Sequence, residues 1–303
     1  MNATGILPLA AGLLLAPLVP GVITRTKAFF AGRRGQPLLQ LYFDLWKLLG
    51  KGATYSRTTT WIFRAGPLVG LAAVLGVLAL TPLGGLPAAV RFPGDVWLFA
   101  YLLGLMRFAT VLAALDTGSS FEGMGASREA LFSALAEPAL LLSLAALALE
   151  THSSSLSGIL GRLSAGSWLV QGPALALVVA ALVVVLLAEN ARIPVDDPTT
   201  HLELTMIHEV MILDHGGPDL ALLLYGAALK LWVLAALLVG VLLPLRTGRP
   251  LLDAGASLAG VLLVGVAVGV VESSMARLRL RRVPKFLIGA TALAVLALVL
   301  ILR

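Results

Sequence analysis

The sequence predicts an all-α polytopic membrane protein with about eight transmembrane helices, plus amphipathic helices at the cytoplasmic surface. Three observations carry this. First, 59% of the 303 residues are hydrophobic and 13% are charged, roughly half the charged share of a soluble domain, and the mean hydropathy is +0.97. Second, apolar blocks long enough to cross about 30 Å of hydrocarbon recur along the whole chain. Third, the blocks lack the alternation of a barrel strand, and a helix is the other backbone form that satisfies itself in lipid. Residues 1–303 therefore read as one integral membrane domain.

The expected spans are 5–24, 62–82, 95–115, 130–149, 170–188, 219–243, 252–271 and 284–302. No Lys or Arg precedes Arg25, so the first block lacks the basic leading region of a signal peptide and reads as a retained span. Arg25, Lys27, Arg33, Arg34, Lys47, Lys51, Arg57 and Arg64 follow it. Arg277, Arg279, Arg281, Arg282 and Lys285 lie around the turn before the last block. Opposite loops hold only Arg91, Arg162, Arg246 and Arg249. The positive-inside rule then makes loops 25–61, 116–129, 189–218 and 272–283 cytoplasmic and turns both termini outward, in the plasma (inner) membrane. These two basic loops account for the net charge of +6, which is not a nucleic-acid signal. Beyond setting topology, the first suits docking of a partner or of anionic lipid.

Residues 36–52 are too short and charged to span. Leu38, Leu41, Leu45, Leu48 and Leu49 fall at helical spacing, away from Asp44, Lys47 and Lys51, which describes an amphipathic helix at the interface. Residues 189–219 hold seven acids (Glu189, Asp196, Asp197, Glu203, Glu209, Asp214, Asp219) against Arg192 alone. A second amphipathic helix is expected at about 199–214. Asp197-Pro198 fits its start, and Thr200 with Glu203 fits a capping box, a structural alternative to a functional Glu203. His201, His208 and His215 recur every seven residues on one face of that helix. That spacing is not the i, i+4 pair of a helical metal chelate, so proton exchange is the better reading.

Charge also enters the spans, with Arg107 in the third, Glu137 in the fourth and Lys230 in the sixth. At about 2.5–3.5 kcal/mol each on insertion scales, such residues face the bundle interior and mark ion or proton paths. The alternative is a static Arg107–Glu137 pair locking two helices. Pro138 beside Glu137 is expected to kink the fourth span and admit water. Glu189 and Glu272 end the fifth and seventh spans, as relay groups or as solvated helix ends. The chain has no cysteine, which excludes disulfides and thiolate-bound iron–sulfur clusters. No nucleotide loop or catalytic triad is present, and GMGAS at 123–127 lacks the Gly-Lys-Ser/Thr of a phosphate loop.

Three segments share one resemblance. RRGQPLLQLYFDLWKLLGKG (33–52) resembles the first cytoplasmic loop of subunit 1 of respiratory complex I, through Gln40, Asp44, Lys47-Leu48 and Lys51. AENARIPVDDPTTHLEL (188–204) resembles that family's main cytoplasmic loop through Glu189, Arg192, Pro194, Asp196 and Glu203, and ESSMARLRLRRVPKFL (272–287) resembles the approach to its last span. His201, and His208-Glu209 in place of an apolar-Asn pair, are similar to the branch in membrane-bound (group 4) nickel–iron hydrogenases, notably subunit 4 of formate hydrogenlyase.

The resemblance implies a coupling subunit with no cofactor of its own, the nickel–iron centre and iron–sulfur clusters sitting on partners. Those partners would be a hydrogenase large subunit-like protein and iron–sulfur subunits on the cytoplasmic side, and antiporter-like membrane subunits moving H+ or Na+. Arg107, Glu137, Glu189, Glu203, Glu209 and Lys230 would form the relay. Asp44, Lys47, Arg192, Asp196, His201 and His208 would sit at the junction with the peripheral arm. Two alternatives remain open at this point. One is a quinone-chamber subunit of complex I. The other is a free-standing secondary transporter, which predicts inverted repeats that the sequence does not display.

Overall fold

The computed structural model describes residues 3–196, 207–244 and 247–303. Among these the chain is helical, without named strands. In order the helices are α1 (Ala3–Leu15), α2 (Leu18–Phe30), α3 (Gln40–Leu49), α4 (Trp61–Ala79), α5 (Asp95–Asp116), α6 (Ser120–Thr151), α7 (Leu156–Arg162), α8 (Ala165–Glu189), α9 (Gly217–Leu242), α10 (Pro250–Ser274) and α11 (Val283–Ile301). Among the described residues, seven helices are long and apolar enough to cross a membrane, and α1 with α2 makes an eighth span bent by 46°.

The first span is thus a bent pair rather than the straight helix the hydropathy suggests. Pro17 has no N–H to give the Leu13 carbonyl, and its ring breaks the ladder. The stranded carbonyls are capped from elsewhere. Tyr225 Oη on α9 donates to Leu13 O at 2.8 Å, and Tyr42 Oη on α3 donates to Leu14 O. The break therefore helps fix where the amphipathic α3 lies. Its close seating shows at Gly21 of α2, where any β-carbon would collide with the Leu38 carbonyl. Trp46 and Phe43 on α3 remain 80% and 58% exposed, as an interfacial helix requires.

α9 is the central helix. Its apolar stretch is 78% buried, against 22–44% for the other single-helix spans, and α1, α2, α3, α4, α8 and α10 all pack on it. α5, α6 and α11 complete the bundle, with α5 on α4 and α11 on α6 and α8. Glycines permit the closest approaches. Gly265 and Gly269 of α10, a G-x-x-x-G pair, face Val19 and Thr26 of α2, and a β-carbon on Gly269 would lie 2.7 Å from Thr26 Cβ. Such small-residue seams are how membrane helices gain packing where no hydrophobic force separates lipid from side chain.

Three expectations need correction. Residues 120–129 are not loop; they are the first turns of α6, a 32-residue helix about 48 Å long that continues through Pro138. No residue near Pro138 leaves helical φ/ψ; besides the break at Pro17, the non-helical residue within a span is Gln171 of α8, two residues before Pro173. The helix expected at about 199–214 is, over its described part, a 3-10 turn at Glu209–Ile212; residues 197–206, including the capping box, His201 and Glu203, lie outside the described residues. The Asp196 carboxylate takes the backbone N–H groups of Ile207 and His208 at 3.1 and 3.2 Å, and Gly125 of α6 lets Val210 press in closely. Packing and side-chain acceptors thus override the seven-residue period, and His208 and His215 share no helical face.

Two substitutions check this packing. Tyr225→Phe removes only the hydroxyl that caps Leu13 O and is expected to cost about 1 kcal/mol. Gly269→Val should prise α2 from α10 and lower the melting temperature further. A thermal melt of the detergent-solubilised protein measures both, and a Gly269→Val melt equal to wild type would disprove the close seam.

Candidate functional site

The charges of α5, α6, α8 and α9 converge on Arg107, whose side chain is 7% exposed. Its Nη2 donates to Glu189 Oε1 at 2.6 Å and its Nη1 to Glu137 Oε1 at 2.7 Å. Its Nε lies 3.8 Å from Glu129 Oε1. Lys230 Nζ stands 4.0 Å from the other Glu189 oxygen. One planar guanidinium thus faces carboxylates from two other helices, a task suited to Arg and not to Lys. The geometry joins Arg107, Glu137, Glu189 and Lys230, all anticipated from sequence.

Glu129 is not among the charges that the sequence points to, because the polar segment 116–129 reads as loop. A signal was available. Glu129 precedes Glu137 by eight residues, which places both on one stripe of a helix. Nearby on α6, Glu122 is 1% exposed and accepts from Asp214 N at 3.2 Å.

The two sides of the cluster differ. Inward, Glu189 and Lys230 line a cavity of about 170 Å³ with Arg192, Asp196, His208 and Glu209, room for several water molecules. Glu189 Oε2 has no hydrogen-bond partner among the described residues, which suits an ordered water. Outward, the Glu137 side chain is 47% exposed. It sits in an open lateral groove of about 480 Å³ between α5 and α6, with Arg107, Tyr101, Phe108 and Ser133. A half-exposed carboxylate well inside a span is costly against lipid.

Below the cavity, ion pairs fix the loop after α8. That helix ends in a Schellman motif. Arg192 N donates to Leu187 O at 2.8 Å, with Ala191 at φ 48° where glycine is usual. Arg192 and Lys27 then hold Glu272 at 3.4 and 2.9 Å. Glu272 is 6% exposed and Glu189 5%, so neither is a solvated helix end. Asp196 pairs with Arg277 at 2.9 Å. His208 is held neutral: burial, then Lys230 and Arg192, push its pKa down to about 3. Burial also lowers His215, whose ring stacks on Phe63 at 3.9 Å.

Asp44 and Lys47 stand apart on α3, Asp44 accepting from Gln40 at 2.9 Å and Lys47 exposed; α3 reaches the cavity through Leu41. No group of three or more His, Asp or Glu among the described residues is arranged to hold a metal.

This architecture has known counterparts. The profile of a family described as NADH dehydrogenase matches residues 4–302. Formate hydrogenlyase subunit 4 of Escherichia coli (strain K12) is 32% identical over 305 residues, covering 97% of this chain and 98% of that protein. Hydrogenase-4 component C of the same strain is 33% identical over 271 residues, covering 88% and 84%. A chain from the structure of the membrane-bound sulfane sulfur reductase, an archaeal respiratory membrane complex, has the same fold, with a TM-score of 0.83 at 24% identity and 98% of both chains covered. The chain therefore belongs to the NADH dehydrogenase subunit 1-like family and is a multi-pass membrane protein.

Proposed function

We propose that this chain is the membrane anchor and coupling subunit of a membrane-bound nickel–iron hydrogenase of the formate hydrogenlyase type. It would link a peripheral redox arm to movement of H+ or Na+. The observation that carries this is the path through Arg107: Glu189 on the cavity side and Glu137 on the lateral groove contact the same guanidinium at 2.6 and 2.7 Å. Two cations, Arg107 and Lys230, face three carboxylates, Glu129, Glu137 and Glu189. The excess negative charge gives the cluster a place for a transferred proton. The names of the two Escherichia coli relatives favour a hydrogenase complex.

In this reading the basic loops face the cytoplasm of a plasma (inner) membrane and both termini face outward. Asp44, Lys47, Arg192, Asp196, His201 and His208 would meet hydrogenase large subunit-like and iron–sulfur proteins, which would carry the nickel–iron centre and clusters. Glu203 and Glu209 would pass protons between that junction and Glu189. Glu137 would hand them to antiporter-like membrane subunits, its lateral groove covered by such a partner. A second reading, a quinone-chamber subunit, draws on the cavity beside His208; quinone-dependent activity of the purified complex would favour it instead.

The relay reading predicts that Glu189→Gln and Glu203→Gln leave the complex assembled but lower ion transfer per hydrogen by about ten-fold or more in proteoliposomes. Unchanged ion transfer in both variants would sink it. A second expectation concerns acid. The folded pKa of His208, near 3, lies below its ordinary value of 6.5. Its neutral form therefore supports the fold fully above about pH 6.5, and this support is lost as pH falls toward 3. Melting temperature should drop between pH 7 and pH 4, and His208→Gln should flatten the drop. Parallel pH profiles for the two proteins would contradict a neutral buried imidazole.

A further inference from the structure

The first 43 residues contain no Asp or Glu, yet Arg25, Lys27, Arg33 and Arg34 gather at the end of α2. The chain reverses there through Gly32 and Gly35, both at φ +64°, a conformation glycine adopts without strain. The reversal is packed onto the helix. A β-carbon on Gly35 would lie 2.5 Å from Ala28 Cβ, and the Arg25 guanidinium donates to the Arg34 carbonyl at 2.8 Å. Between this turn and the end of α10 lies an open groove of about 530 Å³, lined by Thr24, Lys27, Phe30, Arg33, Gln36 and Ser273. Glu272, beside the groove, is already engaged by Lys27 and Arg192 and its side chain is 0% exposed. The accessible charge, on Arg25, Arg33 and Arg34, is positive.

Apolar surface adjoins that charge. Phe29 and Phe30 are 80% and 57% exposed, and Leu38 and Leu39 are 45% and 48% exposed. Large apolar groups beside cations are poorly placed in water. They are well placed where headgroups meet acyl chains. The groove lies at the last turns of the spans formed by α2 and α10, and the end of a span is where headgroups are met.

We propose that this groove is a binding site for the headgroup of an anionic phospholipid. Arg33 in the groove and Arg34 beside it would meet the phosphate, Gln36 would supply a neutral hydrogen bond, and Phe29 and Phe30 would cover the upper acyl chain. Paired guanidinium contact to phosphate oxygens is a strong, directional interaction. A free phosphate would use the same cations but leave the phenylalanines uncovered. An acidic protein segment would also leave them facing lipid. A bound lipid would hold the end of α2 against α10, and with it the Lys27–Glu272–Arg192 link to the loop after α8.

The test uses the full-length chain in neutral detergent, titrated with dioleoyl phosphatidylglycerol or phosphatidylcholine and followed by native mass spectrometry. Wild type should retain phosphatidylglycerol about ten-fold or more over phosphatidylcholine. The Arg33→Gln/Arg34→Gln protein should lose about ten- to thirty-fold of that retention. The Arg281→Gln/Arg282→Gln protein, altered in the other basic loop, should keep it, and inorganic phosphate should not compete. Equal retention by the two double variants would overturn the proposal, as would displacement by inorganic phosphate or by a poly-glutamate peptide at equal charge. A photoreactive phosphatidylglycerol on wild type gives an independent readout: label within residues 24–36 is expected, and label only elsewhere would overturn it.

Discussion

Burying a guanidinium inside a bundle of apolar helices is unfavourable unless carboxylates and hydrogen bonds replace its water. Arg107 meets that condition through Glu137 and Glu189, with Glu129 close behind. The requirement reaches far into the architecture. α6 must approach α5 from one side and α8 must end beside α5 from another, because α6 carries Glu129 and Glu137 and α8 carries Glu189. α9 must then place Lys230 within reach of Glu189. Removing Arg107 would leave three carboxylates facing Lys230 alone, which is far costlier than losing a surface pair. The helices that bear these groups are accordingly held by close packing. Gly66 of α4 admits Ala109 and Ala113 of α5, and the Asp116 carboxylate at the end of α5 binds the start of α4 through Thr60 and Phe63 N–H groups at 2.7 and 3.1 Å.

The same economy holds at the basic end of the bundle. Glu272 and Asp196 are buried and each meets a cation from a different segment, Lys27 with Arg192 in one case and Arg277 in the other. These pairs connect α2, the loop after α8, α10 and the approach to α11. The loop that lines the cavity is therefore tied to three spans. A displacement of that loop by a docked partner would be felt at Glu189 through the short turn that carries the chain from Glu189, the last residue of α8, to Arg192. That is the physical content of coupling as proposed for this chain.

Most spans were legible in the sequence because a membrane helix needs length and apolarity, and both are local properties. The ends of α5, α9 and α11 fall within two residues of the apolar blocks. The charges inside the spans were legible for the complementary reason: they violate the rule. What was not legible depends on neighbours. The break at Pro17 is stable only because Tyr42 and Tyr225 arrive from distant helices. Glu129 looked like a loop residue because its segment is polar, and only the pairing with Arg107 explains an acid there. The histidine period promised a helix, but Asp196 and α6 claim the 207–212 segment for another conformation.

The central claim is that a single guanidinium bridges the carboxylates on the cavity side and the groove side. Arg107→Lys tests it most directly, because it keeps the positive charge and removes the fork. Ion transfer per hydrogen should be measured in proteoliposomes holding the proposed hydrogenase complex, with hydrogen production recorded in parallel. The bridging account predicts that hydrogen production persists while ion transfer falls by about ten-fold or more. Full ion transfer in Arg107→Lys would contradict it, showing that charge alone suffices and that the bridge does not carry the path.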